Sequence, residues 1–430
     1  MAIKRLLKSA LNVKGVKIEK IDFCKETKEI SISVSLLKGH INRCPICGKK
    51  CSGYDITTKE RRWRTLDIGG NKAFIVCDVR RVECSKHGIH TEKVPWARHH
   101  SNFEKRFEEM TAWTALRFTK TDVAALMRIA WNTVGEIISR IHDDLEPDIS
   151  VRYQNLRRIG IDETSYRKGH KYITVVTDHD TGQLVWAEVG HDYETLSKFF
   201  NKLTEAQKAD IRLVSADGAN WIKKCVDEYC PNAQLCLDGY HVVTWAQKAM
   251  DELRLKIWQD EKRIKNTFKR KNRGRPSKEE VTYDKSNLKD IQAAKYTLAK
   301  NPDKLTEYQE SCLDNVKIIY PKLFRAYQLK EGLRSVFQQR DDTVEAELNH
   351  WLSWASRSRI EGFVKLSKKI RRRKNEIIST VKQHLSNARI EAMNNKIKVL
   401  IRKSYGFRNT KNMIDLILIT CSNLQIDLPY

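Results

Sequence analysis

Three acidic residues, Asp162, Asp217 and Glu391, have the chemistry and the sequence context of a metal-dependent active site. Carboxylate oxygens are the ligands that Mg²⁺ prefers in proteins. Two such ions, about 3.5–4 Å apart, can bind the attacking and the leaving oxygen of a phosphoryl transfer. If folding gathers the three acids, the sequence predicts an active site with two Mg²⁺ (or Mn²⁺) ions. Taken singly, each acid is equally compatible with a turn or a solvated helix position.

Two of these acids follow apolar segments. Asp162 comes after Ile159-Gly160-Ile161, and Asp217 comes after the segment 211–216. Both segments are rich in β-branched residues, which predicts buried strands. Acids at the carboxyl ends of strands lie where open α/β sheets bind ligands. Glu163 is an alternative ligand, but strand alternation turns its side chain to the opposite face.

Glu391 belongs to a helical pattern instead. Its apolar neighbours recur at the three- and four-residue spacing of one helix face, and its polar neighbours share the adjacent face. The apolar stripe consists of Ile390, Met393, Ile397 and Ile401, and the polar face consists of Asn387, Glu391, Asn394 and Lys398.

The order of elements around the aspartates predicts an α/β sheet of the ribonuclease H-like kind. A meander of three strands is followed by alternating helices and strands. The predicted strands are 159–162, 172–177, 184–189, 211–216 and 234–237, and the helices are 193–203 and 221–229. In such a fold the strands that carry Asp162 and Asp217 are neighbours.

Near the N-terminus, Cys44 and Cys47 form a zinc knuckle of two thiols separated by two residues. Structural Zn²⁺ takes four ligands, so a second pair is needed. Cys84 and His87 have the spacing of that pair, with His90 as a replacement for His87 and Cys51 as a competing thiol. A redox role for the knuckle lacks a thioredoxin-like βαβ context. The sequence therefore predicts one structural Zn²⁺.

A helix-turn-helix follows the zinc module. Helical patterns at 121–127 and 131–141 are separated by a short break, and the second helix of such a motif enters the major groove of DNA. Its exposed face places three side chains toward the bases and one toward the backbone. The residues expected at the bases are Asn132, Thr133 and Glu136, and the backbone residue is Arg140.

Composition favours a polyanionic partner. Lys and Arg number 80 against 54 acids, a net charge of +26. Because the sequence offers no lipid anchor or membrane-spanning segment, nucleic acid is favoured over a membrane surface. The N-terminus lacks the pattern of a secretory signal, and cysteines such as Cys77 and Cys236 lie in apolar strands. We therefore expect an intracellular, cytoplasmic protein.

Residues 245–381 are nearly all helical in pattern, strongly charged and rich in tryptophan. Two basic clusters there are expected to contact DNA. Arg273 and Arg275 belong to an Arg-Gly-Arg-Pro segment that matches the core of an AT-hook, although a flexible basic loop explains it equally well. The second cluster, which contains Arg371, Arg372 and Arg373, is expected to neutralise phosphates.

Five segments together resemble the ISL3 family of bacterial insertion-sequence transposases, and the resemblance extends over nearly the whole chain. The segments are Ile161-Asp162-Glu163-Thr164, Ser215-Ala216-Asp217-Gly218, Leu237-Asp238-Gly239-Tyr240-His241-Val242, the segment from Asn387 to Lys398, and Tyr405-Gly406-Phe407-Arg408-Asn409.

This resemblance implies a DDE transposase in which Asp162, Asp217 and Glu391 bind the metal ions. Asp238 and His241 match a D-x-x-H motif that supports the active site or contacts DNA. The family's fourth zinc ligand is commonly a cysteine, whereas this chain offers His87. The implied domains are a zinc module (1–98), a helix-turn-helix domain (99–150), the core (151–242 and 384–430) and a helical insertion (243–383).

The expected function is binding of terminal inverted repeats, cleavage of their DNA strands and transfer of the freed 3′ end to target DNA. Two ends must be brought together, so a dimer or larger assembly is expected. Two alternatives stay open from the sequence. One is an inactive zinc and helix-turn-helix regulator, and the other is a metal-dependent nuclease without strand transfer.

Overall fold

The chain divides into two units, Met1–Ile149 with Lys396–Tyr430, and Ser150–Asn395. The structure is a computed structural model. It describes residues 13–267, 286–384, 388–422 and 424–427, together with residues 7, 9 and 11. Within these ranges no helix is both long enough and apolar enough to span a membrane.

The first unit begins with a five-stranded sheet in the order β1-β2-β4-β3, with β5 paired to β4. Its long hairpin turns at Gly69 and Gly70, which both have positive φ. Trp63 and Ile75 lie in its core, and Trp63 meets Trp96 edge to face at 5.3 Å. The strands are β1 (Val16–Cys24), β2 (Glu29–Leu36), β3 (Ser52–Ile68), β4 (Asn71–Cys84) and β5 (Gly88–Thr91).

Three helices follow, α1 (Lys105–Ala115), α2 (Lys120–Met127) and α3 (Trp131–Leu145). The side chain of Thr119 caps α2 by accepting a hydrogen bond from the main chain of Asp122. Arg128 ends α2 in the left-handed conformation (φ 53°), which turns the chain into α3. The apolar stripe of α3, which consists of Val134, Ile137, Ile138 and Ile141, is buried.

The second unit contains the sheet that carries the two aspartates, in the order β10-β9-β6-β7-β8. Strands β6, β9 and β10 are parallel, and β7 is antiparallel to both β6 and β8. The strand that contains Asp162 was predicted to end at residue 162 but extends five residues further, to Arg167. The strands are β6 (Arg158–Arg167), β7 (Lys171–Asp178), β8 (Leu184–Val189), β9 (Leu213–Ala216) and β10 (Gln234–Leu237).

Three helices connect these strands, and the apolar faces of the first and the third join Ile159, Ile161 and Val214 in one core. They are α4 (Tyr193–Phe200), α5 (Glu205–Asp210) and α6 (Asn220–Tyr229). A 3₁₀ turn at Ile149–Tyr153 precedes β6.

Most of the described residues between β10 and the C-terminal region are helical. Seven helices build a second core in which Trp351 is buried and donates its indole N–H to the carbonyl of Leu329 at 2.8 Å. They are α7 (Gly239–Thr267), α8 (Ser286–Ala299), α9 (Glu307–Ile319), α10 (Pro321–Val336), α11 (Val344–Arg357), α12 (Glu361–Arg372) and α13 (Lys374–Lys382). A 3₁₀ turn lies at Pro302–Lys304, and α14 (Ala388–Lys403) and α15 (Thr410–Cys421) complete the chain.

Candidate active site and zinc site

Three aspartates occupy matching positions on neighbouring strands of the second sheet: Asp162 lies within β6, and Asp217 and Asp238 directly follow the ends of β9 and β10. Ala216 of β9 pairs with Ile161 of β6 on one side and with Leu237 of β10 on the other. The residues that follow these three are Asp217, Asp162 and Asp238. Strand register therefore places the three carboxylates side by side, as the sequence predicted for Asp162 and Asp217.

Main-chain N–H groups hold each of these carboxylates. Asp162 accepts a hydrogen bond from the main chain of Glu163 at 2.7 Å. Asp217 accepts one from Ala219 at 2.9 Å, and Asp238 accepts one from Tyr240 at 2.8 Å. Such bonds fix the orientation of each carboxylate.

The acids at this edge interact electrostatically. Burial raises the pKa of Asp162, the N–H of Glu163 and the charge of His241 lower it, and the charges of Asp217 and Asp238 raise it again. Burial also raises the pKa of Glu163 to about 7, with the charges of Asp217 and Asp162 acting in the same direction. A bound cation would relieve this accumulation of negative charge.

His241 lies next to Asp238 and interacts electrostatically with Asp162. Its Nε2 is 3.9 Å from Oδ2 of Asp238, and its charge lowers the pKa of Asp162. It stands one helical turn beyond Asp238, at the start of α7. The aspartate of the D-x-x-H motif is therefore part of the row of carboxylates, and its histidine lies beside that row.

Helix α14 lies on the face of β6 that carries Asp162. Positions 160, 162 and 164 share this face because strand side chains alternate. Ile390 approaches Gly160 so closely that a Cβ at position 160 would lie 2.2 Å from its Cδ1. Arg389 donates to the main-chain carbonyl of His179 on the neighbouring turn. The close fit at Gly160 fixes the start of α14 against the sheet.

Asn394 joins this helix to Asp162. Its Nδ2 donates to Oδ2 of Asp162 at 2.6 Å, and its Oδ1 accepts from Oγ1 of Thr164 at 2.6 Å. Asn394 is only 5% exposed, so the amide is enclosed between strand and helix. The sequence placed Asn394 on the polar face beside Glu391 but did not reveal this bond. The only signal was its three-residue spacing from the glutamate.

Glu391 is exposed and lines an open cleft of about 600 Å³. Asp238, Phe337 and Thr380 line the same cleft. In the part of the chain that the structure describes, the only group of three or more potential metal ligands within 4.8 Å of one another is elsewhere, in the zinc module. The structure thus brings Glu391 to the edge of the aspartate cluster without gathering all three acids around one point.

The zinc module gathers the four predicted ligands, Cys44, Cys47, Cys84 and His87. Sγ of Cys44 is 3.6 Å from Nδ1 of His87, Sγ of Cys47 is 3.8 Å from Sγ of Cys84, and Sγ of Cys84 is 3.5 Å from Nδ1 of His87. A tetrahedron with Zn–S bonds of about 2.3 Å has edges of about 3.8 Å. The donor set and its spacing therefore fit zinc.

Local structure explains how these ligands meet. Strand β4 ends at Cys84, and the turn before β5 places His87 beside it. The N–H of Lys86 lowers the pKa of Cys84 to about 6, which favours the thiolate that binds metal. His90 lies against the carbonyl of His87 at 2.7 Å and takes no place in the group, and neither does Cys51.

Most of the residues predicted to contact DNA are accessible to solvent. Asn132, Glu136, Arg371 and Arg372 are exposed and Thr133 is partly exposed, so all five are accessible. Arg140 instead pairs with the buried carboxylate of Glu108 at 2.8 Å. Arg273 and Arg275 lie outside the described residues.

Arg373 is buried, contrary to the expectation that it neutralises phosphates. Its guanidinium donates to the carbonyl of Gly218 at 3.0 Å and to Oδ1 of Asn220 at 2.6 Å, and it pairs with Glu376. These bonds fix the loop after Asp217. We therefore correct the role of Arg373 from contacting DNA to positioning this loop.

Comparison with known proteins gives a consistent result. A family model described as a transposase, of the ISL3 DDE type, matches residues 159–417. The model for the helix-turn-helix domain of transposase family ISL3 matches 92–142, and the zinc-finger model of the transposases of IS204, IS1001, IS1096 and IS1165 matches 42–87. These matches confirm the predicted helix-turn-helix and zinc modules.

Relatives align over most of their length. The chain is 43% identical to the transposase for insertion sequence element IS1557 of Mycobacterium tuberculosis over 390 residues, which are 90% of this chain and 88% of the relative. It is 23% identical to the transposase for insertion sequence element IS1001 of Bordetella parapertussis over 415 residues, which are 95% and 96% of the two chains.

Proposed function

The chain belongs to the ISL3 family of transposases, and we propose that it binds the terminal inverted repeats of an insertion sequence and catalyses metal-dependent cleavage and transfer of their strands. The observation that carries the proposal is the row of aspartates on three adjacent strands, with Glu391 in the adjoining cleft.

We propose that the second sheet is a ribonuclease H-like core and that α7–α13 are a helical insertion within it. In support, the sheet order places the first strand centrally, between an antiparallel meander and two parallel strands. The helices separate β10 from α14, which carries Glu391. The predicted five-part division of the chain follows from this interpretation.

Asp162, Asp217 and Glu391 would hold two Mg²⁺ (or Mn²⁺) ions. Such ions supply activation of the attacking water or hydroxyl and neutralise charge on the leaving oxygen. Acids that share one ion have to lie within about 4.2 Å of one another, twice the Mg–O distance, whereas two ions relax this requirement. Asp162, Asp217 and Glu391 do not form such a group in the structure, so the proposal assigns them two ions rather than one shared ion.

Other residues support the acids. Asn394 orients Asp162, Arg373 fixes the loop after Asp217, and His241 places a basic group beside Asp238. Because both reaction steps are displacements at phosphorus, no covalent protein nucleophile is required.

DNA recognition would use the first unit. The N-terminal turn of α3 presents Asn132, Thr133 and Glu136 for the major groove, while Arg371 and Arg372 of the second unit would contact phosphates. The zinc module would add contacts to the repeats. Because cleavage requires two paired ends, a dimer or larger assembly on DNA is expected.

An assay with the gene's own flanking DNA tests this proposal. Purified protein, Mg²⁺, a labelled duplex in which the terminal repeat is joined to its flanking DNA, and a supercoiled plasmid are combined. We expect a nick at the repeat end and labelled strands joined to the plasmid. Cleavage without joining indicates a nuclease, and binding without cleavage indicates a regulator; either result overturns the proposal.

Changing Asn394 tests its role in orienting Asp162. We expect Asn394→Ala to slow cleavage about 10–100-fold and to raise the Mg²⁺ concentration needed for half-maximal rate, as is typical when a group that orients a metal ligand is lost. Asn394→Asp keeps the shape but replaces the donor with a charge, so it should be at least as damaging. Single-turnover rates across a Mg²⁺ titration provide the measurement.

Thr164→Val is the matched control for Asn394. It removes the hydroxyl that orients the amide, so alone it should cause a smaller loss. Combined with Asn394→Ala it should add almost nothing, because the two act through one chain of hydrogen bonds. An unchanged Mg²⁺ requirement in Asn394→Ala would contradict the positioning role.

A further inference from the structure

The loop that follows Asp217 is covered by a tryptophan from α7. A Cβ at Gly218 would lie 2.4 Å from the nearest ring atom of Trp245, so the indole rests directly on the glycine. Arg373 holds the same loop through the Gly218 carbonyl. The loop is therefore fixed from two sides, and Trp245 is in contact with the residue next to a proposed metal ligand.

A lysine ammonium lies on this tryptophan. Nζ of Lys369, on α12, is 3.3 Å from the centroid of the Trp245 ring. Lys248 follows Trp245 by three residues on α7, and both lysines are exposed. Among the described residues, neither ammonium has a carboxylate within 4.0 Å. The indole thus holds a cation that forms no ion pair with a described carboxylate.

The charges around Lys369 connect it to the active site. Burial lowers its pKa, the positive charges of Arg373 and Lys248 lower it further, and the negative charge of Asp217 acts in the opposite direction. Asp217 is therefore near enough to interact with Lys369 without forming an ion pair. Two cations that repel each other beside an acidic cluster are stabilised when an anion binds between them.

We propose that Lys369, held on Trp245 and assisted by Lys248, binds a backbone phosphate of the DNA strand next to the scissile bond. This inference rests on the proposed function, because it assumes that DNA occupies the aspartate edge. A lysine is suited to this task since its compact charge contacts a phosphate oxygen without demanding a fixed orientation. The indole limits the positions of the flexible side chain.

Removing the charge of Lys369 tests its proposed contact with a DNA phosphate. We expect Lys369→Met to slow single-turnover cleavage about 10–100-fold, the usual effect of losing one charge-assisted hydrogen bond, and Lys369→Arg to retain most of the rate. Lys365→Met is the matched control, because Lys365 lies one turn earlier on α12 and is exposed and paired with Glu361. Equal rates in Lys369→Met and Lys365→Met would overturn the proposal.

Replacing single DNA phosphates by uncharged methylphosphonates identifies the phosphate that Lys369 contacts. Single methylphosphonates are placed at each position within five nucleotides of the cleavage site. At one position we expect the substitution to slow the wild-type protein but not Lys369→Met, because the same contact is already lost. If Lys369→Met responds like the wild-type protein at every position, Lys369 has no specific phosphate and the proposal fails.

Binding measurements separate this inference from the proposed function. Anisotropy of a labelled, pre-cut repeat end, titrated with protein at several salt concentrations, requires no catalysis. Loss of one phosphate contact should lower the salt slope by about 0.9 in Lys369→Met but not in Lys365→Met. If Lys369→Met reduces the salt slope but the wild-type protein never cleaves DNA, the phosphate contact of Lys369 is supported and the proposed function fails. If the wild-type protein cleaves DNA and Lys369→Met leaves the salt slope unchanged, only the phosphate contact of Lys369 is excluded.

Discussion

Asp162→Asn is expected to abolish strand cleavage while the protein still binds repeat ends. The carboxylate is held within β6 by the main chain of Glu163 and the side chain of Asn394. The amide of the variant fits the same space but lacks the charge that binds a metal ion. Metal ions contribute several kcal/mol to such reactions, which corresponds to a loss of about 10³-fold or more in rate. Single-turnover cleavage and a gel-shift titration measure the two properties.

A matched variant separates this effect from a general loss of charge. Asp210→Asn changes an exposed aspartate of the same unit and should leave cleavage unchanged. Asp217→Asn and Glu391→Gln should each resemble Asp162→Asn, and pairs of these changes should add little, since the acids act as one unit. Mg²⁺-dependent cleavage by Asp162→Asn would show that this acid is not a metal ligand.

Local sequence patterns were sufficient to predict the strands that carry the aspartates. The apolar segments before Asp162 and Asp217 have no other stable place than a buried sheet, so their type and approximate ends follow from composition. Their adjacency follows from the order of elements. The extension of β6 to Arg167 was missed because its last residues are polar and pair with β7 at the sheet edge.

Side-chain partners were harder to predict, because they depend on segments far away in the chain. Arg371, Arg372 and Arg373 are identical in chemistry, yet only the third is buried. In the sequence it stands three and four residues from Ile370 and Ile377, which are both buried, and this spacing was an available signal. The bond between Asn394 and Asp162 had no such signal, since it requires the position of α14 on β6.

Cys44→Ser combined with Cys47→Ser is expected to remove zinc and unfold the module around it. The wild-type chain should contain about one zinc per molecule by elemental analysis. The module depends on that ion because its four ligands come from two distant turns, and structural zinc contributes about 10–16 kcal/mol to folding in isolated fingers. The double variant should contain no zinc and be cleaved by protease within residues 42–93, and its binding to repeat ends should weaken.

The other candidate ligands provide the controls for this experiment. Cys51→Ser makes the same chemical change beside the knuckle but outside the group of four, so it should keep the full zinc content. His90→Ala should keep it as well, because His90 contacts only the carbonyl of His87. His87→Cys should still bind zinc, since a thiolate can take the fourth position. Stoichiometric zinc in the double variant, or its loss in Cys51→Ser, would assign the metal to a different set of ligands.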